Sequence, residues 1–122
     1  MMENEGYEVI GAAFEVYNTL GSGFLEEVYQ QSMEIELERR NIPHKPQQEI
    51  KLRYKNAQLR KTYVADLVAF DGIIIELKAT SALTPDHFAQ LMNYLKACNL
   101  TVGYLINFGN PGKLEWRRIT LE

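Results

Sequence analysis

The stretch that decides the fold lies in the middle of the chain, at residues 64–78, and reads VADLVAFDGIIIELK. Two apolar segments flank the dipeptide Asp71-Gly72, which is a strong signal for a β-hairpin turn. Both segments are apolar almost throughout, a pattern typical of strands that are covered on both faces of a sheet. The stretch therefore predicts two adjacent antiparallel strands with little exposure to solvent.

Three charged residues, Asp66, Glu76 and Lys78, interrupt these apolar segments. Glu76 and Lys78 are two positions apart on one strand, so they project from the same face, and the hairpin can bring Asp66 alongside Glu76. Two carboxylates that meet on a sheet repel each other unless a positive charge lies between them. A hard cation such as Mg²⁺ or Mn²⁺ suits this pair, because it prefers oxygen ligands and retains several waters.

The same charges have a plainer interpretation, because a Glu-X-Lys face also occurs on solvated or salt-bridged strands. The apolar flanks favour a functional role, since charges embedded among apolar residues are costly unless they are paired or bind a metal. In that role a metal-bound water would serve as the nucleophile. Lys78 would orient or deprotonate this water, or would stabilise negative charge on a phosphate.

On the N-terminal side, apolar residues at three- and four-residue spacing predict a helix over residues 5–20, and the glycines at 21 and 23 end it. A second helix is predicted over residues 24–40. Its predicted core contacts are Leu25, Val28, Tyr29 and Leu37. Two prolines predict a loop at residues 41–46. Alternation at residues 50–55 predicts a half-buried strand, which a turn at residues 55–57 connects to a second strand over 59–70.

On the C-terminal side, Thr84-Pro85-Asp86 predicts the start of a helix. The predicted apolar face of this helix consists of Phe88, Leu91, Met92 and Leu95. Residues 102–107 predict a buried strand, which can lie parallel to an earlier strand because a helix precedes it. Residues 114–121 predict a final edge strand. The order helix, helix, three strands, helix, two strands predicts an α/β sandwich around a mixed sheet, in a single domain over residues 1–122.

Charge is distributed unevenly along the chain, whose formal net charge is −3. Residues 51–61 contain five basic residues and no acidic one, whereas residues 3–38 contain nine acidic residues and no Lys or Arg. The basic segment is suited to contact phosphates. It is equally typical of a solvated hairpin edge that is protected by charge, and the sequence does not decide between the two.

Several classes of protein are disfavoured by the composition. No apolar run approaches the roughly 18 residues that a membrane-spanning helix needs. The acidic, polar N-terminus is unlike a secretory signal, and the lone Cys98 allows neither a disulfide framework nor a cysteine-based zinc site. We therefore expect a cytoplasmic protein without a membrane segment.

Asp66 together with Glu76-Leu77-Lys78 resembles the signature of the PD-(D/E)XK nuclease superfamily. Residues 23–29, GFLEEVY, are similar to the motif that gives the GxxExxY branch its name, and further matching segments lie at residues 63–67, 87–95 and 103–109. The resemblance extends from about Tyr7 to Arg118. The proline of the superfamily name is Ala65 in this chain, at a position where that proline is often replaced.

The resemblance implies a restriction-endonuclease-like fold, a three-layer sandwich whose central mixed sheet of four or five strands is flanked by helices. It implies Mg²⁺ or Mn²⁺ as the cofactor, with Asp66, Glu76 and Glu26 as metal ligands. It implies Lys78, Gln90 and Glu26 as catalytic residues. The implied partner is nucleic acid, with DNA favoured over RNA.

Neighbouring residues have competing interpretations. Glu27 should face solvent, a quarter-turn from Glu26. Tyr29 is expected to be a core aromatic with a polar tip, although it could instead hydrogen-bond Glu26. His87 forms a polar stripe with Gln90 and Tyr94 and is more typical of a structural hydrogen-bonder than of a proton carrier. Two further residues, His44 and Cys98, are expected at the surface and in a small apolar site, respectively.

Three hypotheses for the function remain open. The first is a metal-dependent nuclease that hydrolyses phosphodiesters in DNA or RNA. The second is a non-catalytic, nuclease-like module that binds nucleic acid or another protein, which the acidic net charge favours. The third is a purely structural ion cluster. A homodimer is a further interpretation, with Leu114, Trp116 and Ile119 either at its interface or packed on the core.

Overall fold

A computed structural model describes residues 1–121 of the chain. Within this range the chain forms three helices and five strands. In chain order they are α1 (Glu3–Leu20), α2 (Glu26–Arg39), β1 (His44–Tyr54), β2 (Ala57–Ala69), β3 (Ile73–Lys78), α3 (Pro85–Cys98), β4 (Val102–Asn107) and β5 (Glu115–Thr120). The predicted order of elements is confirmed, and β4 has the predicted bounds.

The strands form one mixed sheet in the order β1-β2-β3-β4-β5. Neighbours pair antiparallel except β3 and β4, which are parallel because α3 connects them as a crossover. The predicted mixed sheet is therefore confirmed with five strands.

Two apolar layers cover the sheet and give the three-layer sandwich. On one face, α1 and α2 pack residues such as Val9 and Met33 against Ile75 of β3. On the other face, Leu91 and Leu95 of α3 pack against the sheet. This arrangement buries β3 and β4 on both sides, as their continuous apolar sequences predict. The fold is the predicted α/β, restriction-endonuclease-like sandwich.

The hairpin between β2 and β3 turns one residue earlier than the Asp71-Gly72 dipeptide suggests. Phe70 and Asp71 have positive φ angles of 53° and 55°, and the backbone N–H of Gly72 donates to the carbonyl of Ala69 over 3.1 Å. Two positive φ angles define the type I′ turn that suits a right-twisted hairpin. A Cβ at Gly72 would lie 2.9 Å from Sδ of Met2, which belongs to the end of a flexible side chain.

Several predicted bounds and contacts were wrong. β1 begins at His44 rather than at residue 50, so the predicted loop at 41–46 extends only to Pro43. Pro46 is tolerated there because β1 is an edge strand and an edge position does not require every N–H. Leu25 is 79% exposed rather than a core residue, because it precedes α2 as its N-cap. Met92 is also exposed, and Tyr94 takes its place on the buried face of α3.

The apolar residues near the C-terminus pack on the core. Leu114 is buried, and Trp116 packs against the layer of α1 and α2. Ile119 packs against the layer of α3. These three side chains therefore pack on the core of their own chain and do not form the interface proposed for a homodimer. The homodimer itself stays a prediction. None of the helices formed by residues 1–121 combines the length and the apolar character needed to span a bilayer.

Two glycines of α1 should respond oppositely to alanine. A Cβ at Gly6 would lie 1.9 Å from Oη of Tyr104, whose side chain is 2% exposed and has little room to move. We expect Gly6→Ala to lower the free energy of unfolding by about 1–3 kcal/mol through overpacking. At Gly11 the Cβ would lie 3.3 Å from Nη1 of Arg40, the end of a flexible side chain. Gly11→Ala should therefore stabilise by up to about 1 kcal/mol through helix propensity.

Urea unfolding followed by circular dichroism measures both variants of α1 against the wild type. Equal effects at the two positions would contradict the close packing of α1 against β4.

Candidate active site

The candidate site lies where β2 and β3 separate. Their pairing extends from Ala69 and Ile73 to Leu67 and Ile75 and stops before Asp66 and Glu76 would pair. Beyond this point β2 continues alongside β1, while β3 continues alongside β4. The two strands therefore diverge at Asp66 and Glu76, and we call this point of divergence between β2 and β3 the cleft.

The two carboxylates accept the backbone hydrogen bonds that the strands no longer exchange. The N–H of Asp66 donates to Oε2 of Glu76 over 2.9 Å, and the N–H of Leu77 donates to Oδ2 of Asp66 over 2.8 Å. Each interaction uses one oxygen of its carboxylate. Glu76 and Asp66 are therefore held side by side, as the hairpin predicts, with the second oxygen of Glu76 free of hydrogen bonds to residues 1–121.

Burial favours the protonated form of both acids, and the charge of Asp66 favours it further at Glu76. Glu76 is 3% exposed, and burial, followed by the charge of Asp66, raises its pKa to about 8. Burial also raises the pKa of Asp66, against the opposing effects of the Leu77 hydrogen bond and the charge of Lys78. A cation between the two carboxylates would reverse these shifts, because it stabilises the ionised forms.

Lys78 and Gln90, which were predicted separately as site residues, contact each other beside the carboxylates. Nζ of Lys78 donates to Oε1 of Gln90 over 3.0 Å, which joins the end of β3 to α3. Gln90 is exposed and Lys78 is half-buried. The ammonium group lies close enough to Asp66, Glu76 and Glu26 to lower the pKa of all three. It is therefore positioned to act on a molecule that enters the cleft.

Glu26 lies at the rim rather than between the other two acids. It is the first residue of α2 and is exposed, and burial followed by the charge of Asp66 raises its pKa. Among residues 1–121, no three His, Cys, Asp or Glu side chains are arranged as a ready metal-binding group. The structure thus brings Asp66 and Glu76 together and leaves Glu26 as a neighbour within electrostatic range. Glu27 faces solvent, as predicted.

Two residues of the site were not predicted from the sequence. Nε2 of Gln30, which is 4% exposed, donates over 2.9 Å to both the carbonyl of Asp66 and Oε2 of Glu34. Its position one helical turn after Glu26 was a usable signal. Gln47 lies opposite Asp66 on β1, and its side chain lowers the pKa of that acid. Its positive φ of 48° within a strand leaves no trace in the sequence.

Tyr94 completes the buried wall of the cleft. It is 6% exposed and its ring lies 4.7 Å from that of Tyr63, in a tilted arrangement. Burial, and then the charges of Glu76 and Asp66, raise the pKa of Tyr94 to about 12. Tyr94 is thus a neutral phenol beside the carboxylates. The predicted polar stripe on α3 contributes Gln90 and Tyr94 to the site.

The other singled-out residues have structural roles. Nδ1 of His87 accepts the N–H of Thr84 over 3.0 Å and closes a capping box, which confirms the structural interpretation. Tyr29 is fully buried and stacks on Phe108 with ring centroids 4.6 Å apart. Its hydroxyl donates to the carbonyl of Gly21 over 2.5 Å and accepts the N–H of Phe24, which fixes the turn before Glu26.

The raised pKa of Glu76 predicts a pH-dependent stability in the absence of metal. Between about pH 4.5 and 8 the unfolded chain ionises Glu76 while the folded chain retains its proton, so the free energy of unfolding falls as pH rises. We expect Glu76→Gln to remove this pH dependence and to exceed the wild type at pH 8 by a few kcal/mol, at about 1.4 kcal/mol per pKa unit.

Chemical unfolding in EDTA across this pH range measures the difference, with Glu27→Gln at the exposed neighbouring acid as the matched control. The difference between wild type and Glu76→Gln should change with pH, and that between wild type and Glu27→Gln should not. Parallel curves for all three proteins would contradict the buried carboxylate pair.

Comparison with known proteins identifies the family and the fold of the chain. The model of the PD-(D/E)XK nuclease superfamily matches residues 3–119. No curated protein sequence matches the chain. Among solved structures, the crystal structure of SSO0001 aligns with a TM-score of 0.63 and 18% identity over 99% of this chain. The alignment covers 61% of that longer chain, and at this identity it shows the fold alone. With nearly all of its residues matched by the family model, the chain belongs to the PD-(D/E)XK nuclease superfamily.

Proposed function

We propose that the chain is a metal-dependent nuclease that hydrolyses phosphodiesters in nucleic acid, with DNA favoured. The observation that carries the proposal is the pair of carboxylates in the cleft between β2 and β3, with the Lys78 ammonium group held beside it by Gln90. This arrangement combines a site for a hard cation with a fixed positive charge, the two components that phosphodiester hydrolysis requires.

The donor set fits Mg²⁺ or Mn²⁺. These ions typically take one or two carboxylates and complete their shell with waters and substrate phosphates, so a third protein carboxylate is unnecessary. Asp66 and Glu76 would hold the ion, with Glu26 at the rim as a further ligand or as an acceptor for a water. When bound, the ion supplies a Lewis acid and a water of lowered pKa.

The chain's own groups would orient the substrate. Lys78 would place its positive charge against a phosphate oxygen or a water, and Gln90 fixes the direction of the ammonium group through its carbonyl. Tyr94 is buried and close enough to both carboxylates to feel their charge, so a low-dielectric side chain on this side would strengthen their interaction with a cation. Gln30 keeps Asp66 in position through the backbone carbonyl of that residue.

A non-catalytic, nuclease-like module is the second candidate. The net charge of −3 favours it, because nucleases that grip nucleic acid usually carry a basic excess. Under this alternative the cleft has lost its catalytic role, and its acids have no affinity for a divalent ion.

Three other expectations stay predictions. They are a cytoplasmic location, a single domain over residues 1–122 and the assignment to the GxxExxY branch.

Cleavage assays with Mn²⁺ test the catalytic role. We expect the wild type to cut plasmid or single-stranded DNA, and Glu76→Ala and Lys78→Ala each to lose at least about 100-fold in rate, as for removal of a group that stabilises the transition state. Gln90→Ala should lose about tenfold, since it acts through Lys78. Glu26→Ala should lose activity whereas the adjacent Glu27→Ala should retain it. Residual cleavage that is equal in wild type and Glu76→Ala would identify a contaminant.

Calorimetry with Mn²⁺ separates the two candidate functions. The nuclease proposal predicts saturable binding that disappears in Asp66→Asn and persists in Glu27→Gln, because Asp66 is a ligand and Glu27 is not. The thermal unfolding temperature should rise with Mn²⁺ in the wild type and in Glu27→Gln but not in Asp66→Asn, since a ligand of the folded state stabilises it. The absence of binding in the wild type would favour the non-catalytic module.

A further inference from the structure

The hairpin of β1 and β2 continues well beyond the point at which β2 leaves β3. Pairing between β2 and β3 ends at Leu67, whereas pairing between β1 and β2 continues to Tyr54 and Ala57. Ala57 is nine positions before Asp66, so at about 3.3 Å per residue the tip of the hairpin lies roughly 30 Å along the strand from the site. We call residues 51–61 the basic arm.

The basic arm carries an unbalanced positive charge. Its five cationic side chains are all exposed, and none forms an ion pair within residues 1–121. They are Lys51, Arg53, Lys55, Arg60 and Lys61. The chain has thirteen basic and sixteen acidic residues in total, so the part outside the arm holds eight basic and sixteen acidic residues. The arm is thus a cationic surface on an otherwise strongly acidic molecule, and a polyanion would meet attraction there and repulsion elsewhere.

The arm and the cleft are close enough together to contact one turn of a duplex. Lys51 pairs with Thr62, four residues from Asp66, which is roughly 13 Å along β2. The cations therefore lie between about 13 and 30 Å from the carboxylates, within the roughly 34 Å of one turn of B-form DNA. A two-stranded ribbon also has the width that the major groove admits.

We propose that the basic arm binds the phosphate backbone of duplex nucleic acid and directs it across the cleft at Asp66 and Glu76. The choice of partner rests on the proposed nuclease function. The competing explanation is that the charges protect open strand edges from pairing with other chains, since both strands of the arm lack an outer neighbour. A third explanation is that the arm binds an acidic polypeptide, since its positive charge alone would attract one.

Fluorescence anisotropy with a labelled duplex of roughly 30 base pairs tests the arm in EDTA, where no cleavage occurs. The test variant is Lys51→Ala with Arg60→Ala. The matched control is Lys96→Ala with Arg39→Ala, which also removes one exposed Lys and one exposed Arg. Arg39 is the last residue of α2 and Lys96 lies in the last turn of α3, so both are outside the arm. Thermal unfolding of each variant verifies folding, and Lys55→Gln with Lys61→Gln repeats the test at other arm positions.

The arm variant should bind at least about tenfold more weakly than the wild type at low salt. Its slope of log affinity against log salt should decrease by about 2, because each phosphate that a cation neutralises contributes about 0.9 to the slope. The control should change less than about twofold, because its residues make no phosphate contact under this proposal. Poly-glutamate should displace the duplex poorly.

Three results would overturn the proposal. The first is that the arm variant and the control variant bind the duplex equally weakly. The second is that the arm variant binds as tightly as the wild type but self-associates on size exclusion. The third is that poly-glutamate displaces the labelled duplex as readily as unlabelled duplex does. The second result would assign the charges to edge protection.

The outcome is separable from that of the nuclease proposal. Glu76→Gln should bind the duplex at least as well as the wild type, since it leaves the arm intact and adds no negative charge to the cleft. Duplex binding through the arm without cleavage in Mn²⁺ would refute the nuclease alone. Cleavage with an unchanged KM in the arm variant would refute the arm alone.

Discussion

Pairing between β2 and β3 stops after Leu67 and Ile75, and from there two carboxylates accept the backbone N–H groups that a continued ladder would have paired with carbonyls. An unpaired N–H at this depth costs roughly 1–3 kcal/mol, so the strands can separate inside the molecule only if side chains replace the missing acceptors. Asp66 and Glu76 make this replacement reciprocally, each strand accepting from the other. The geometry of the site follows from this exchange.

The exchange also explains why acids can persist in such an apolar setting. Burial raises the pKa of Glu76 to about 8, and the charge of Asp66 adds to the shift, so the pair is strained electrostatically unless a cation or a proton is present. The apolar layers of α1, α2 and α3 hold the strands in place around this strain. Stability and chemistry therefore oppose each other at Glu76, as is usual for groups held ready for a reaction.

The sequence was most informative where a residue's role depends on local periodicity. The two-residue spacing of Glu76 and Lys78 placed both on one face of β3, and the apolar flanks identified β3 and β4 as buried strands. The capping signal at Thr84 located α3, because its physics is contained within four residues. The resemblance then added Gln90, whose contact with Lys78 the structure shows, and Glu26, which it leaves at the rim.

Contacts that depend on the meeting of distant segments could not be predicted in this way. The contact from Gln30 to the backbone of Asp66 requires the packing of α2 against β2, and the positive φ of Gln47 arises only where β1 passes the separated strands. The turn at Phe70 and Asp71 also lies one residue earlier than the Asp71-Gly72 dipeptide suggests, next to the pairing of Ala69 with Ile73. Local signals therefore predicted whether a segment is a helix, a strand or a turn more reliably than they predicted its exact position along the chain.

The separation of β2 from β3 has a second structural consequence besides the cleft. Because β2 does not pair with β3 before Leu67, residues 57–66 of β2 can pair only with β1, and the two strands continue past the fork as a two-stranded ribbon whose tip is exposed. The acids lie at the fork and the basic residues lie along the ribbon. The separation of β2 from β3 therefore places the two kinds of charge at a fixed distance from each other. A chain with a net charge of −3 can in this way present a cationic surface next to an anionic pocket. Net charge is consequently a poor guide to what this molecule binds, and the distribution of charge about the fork is the informative quantity.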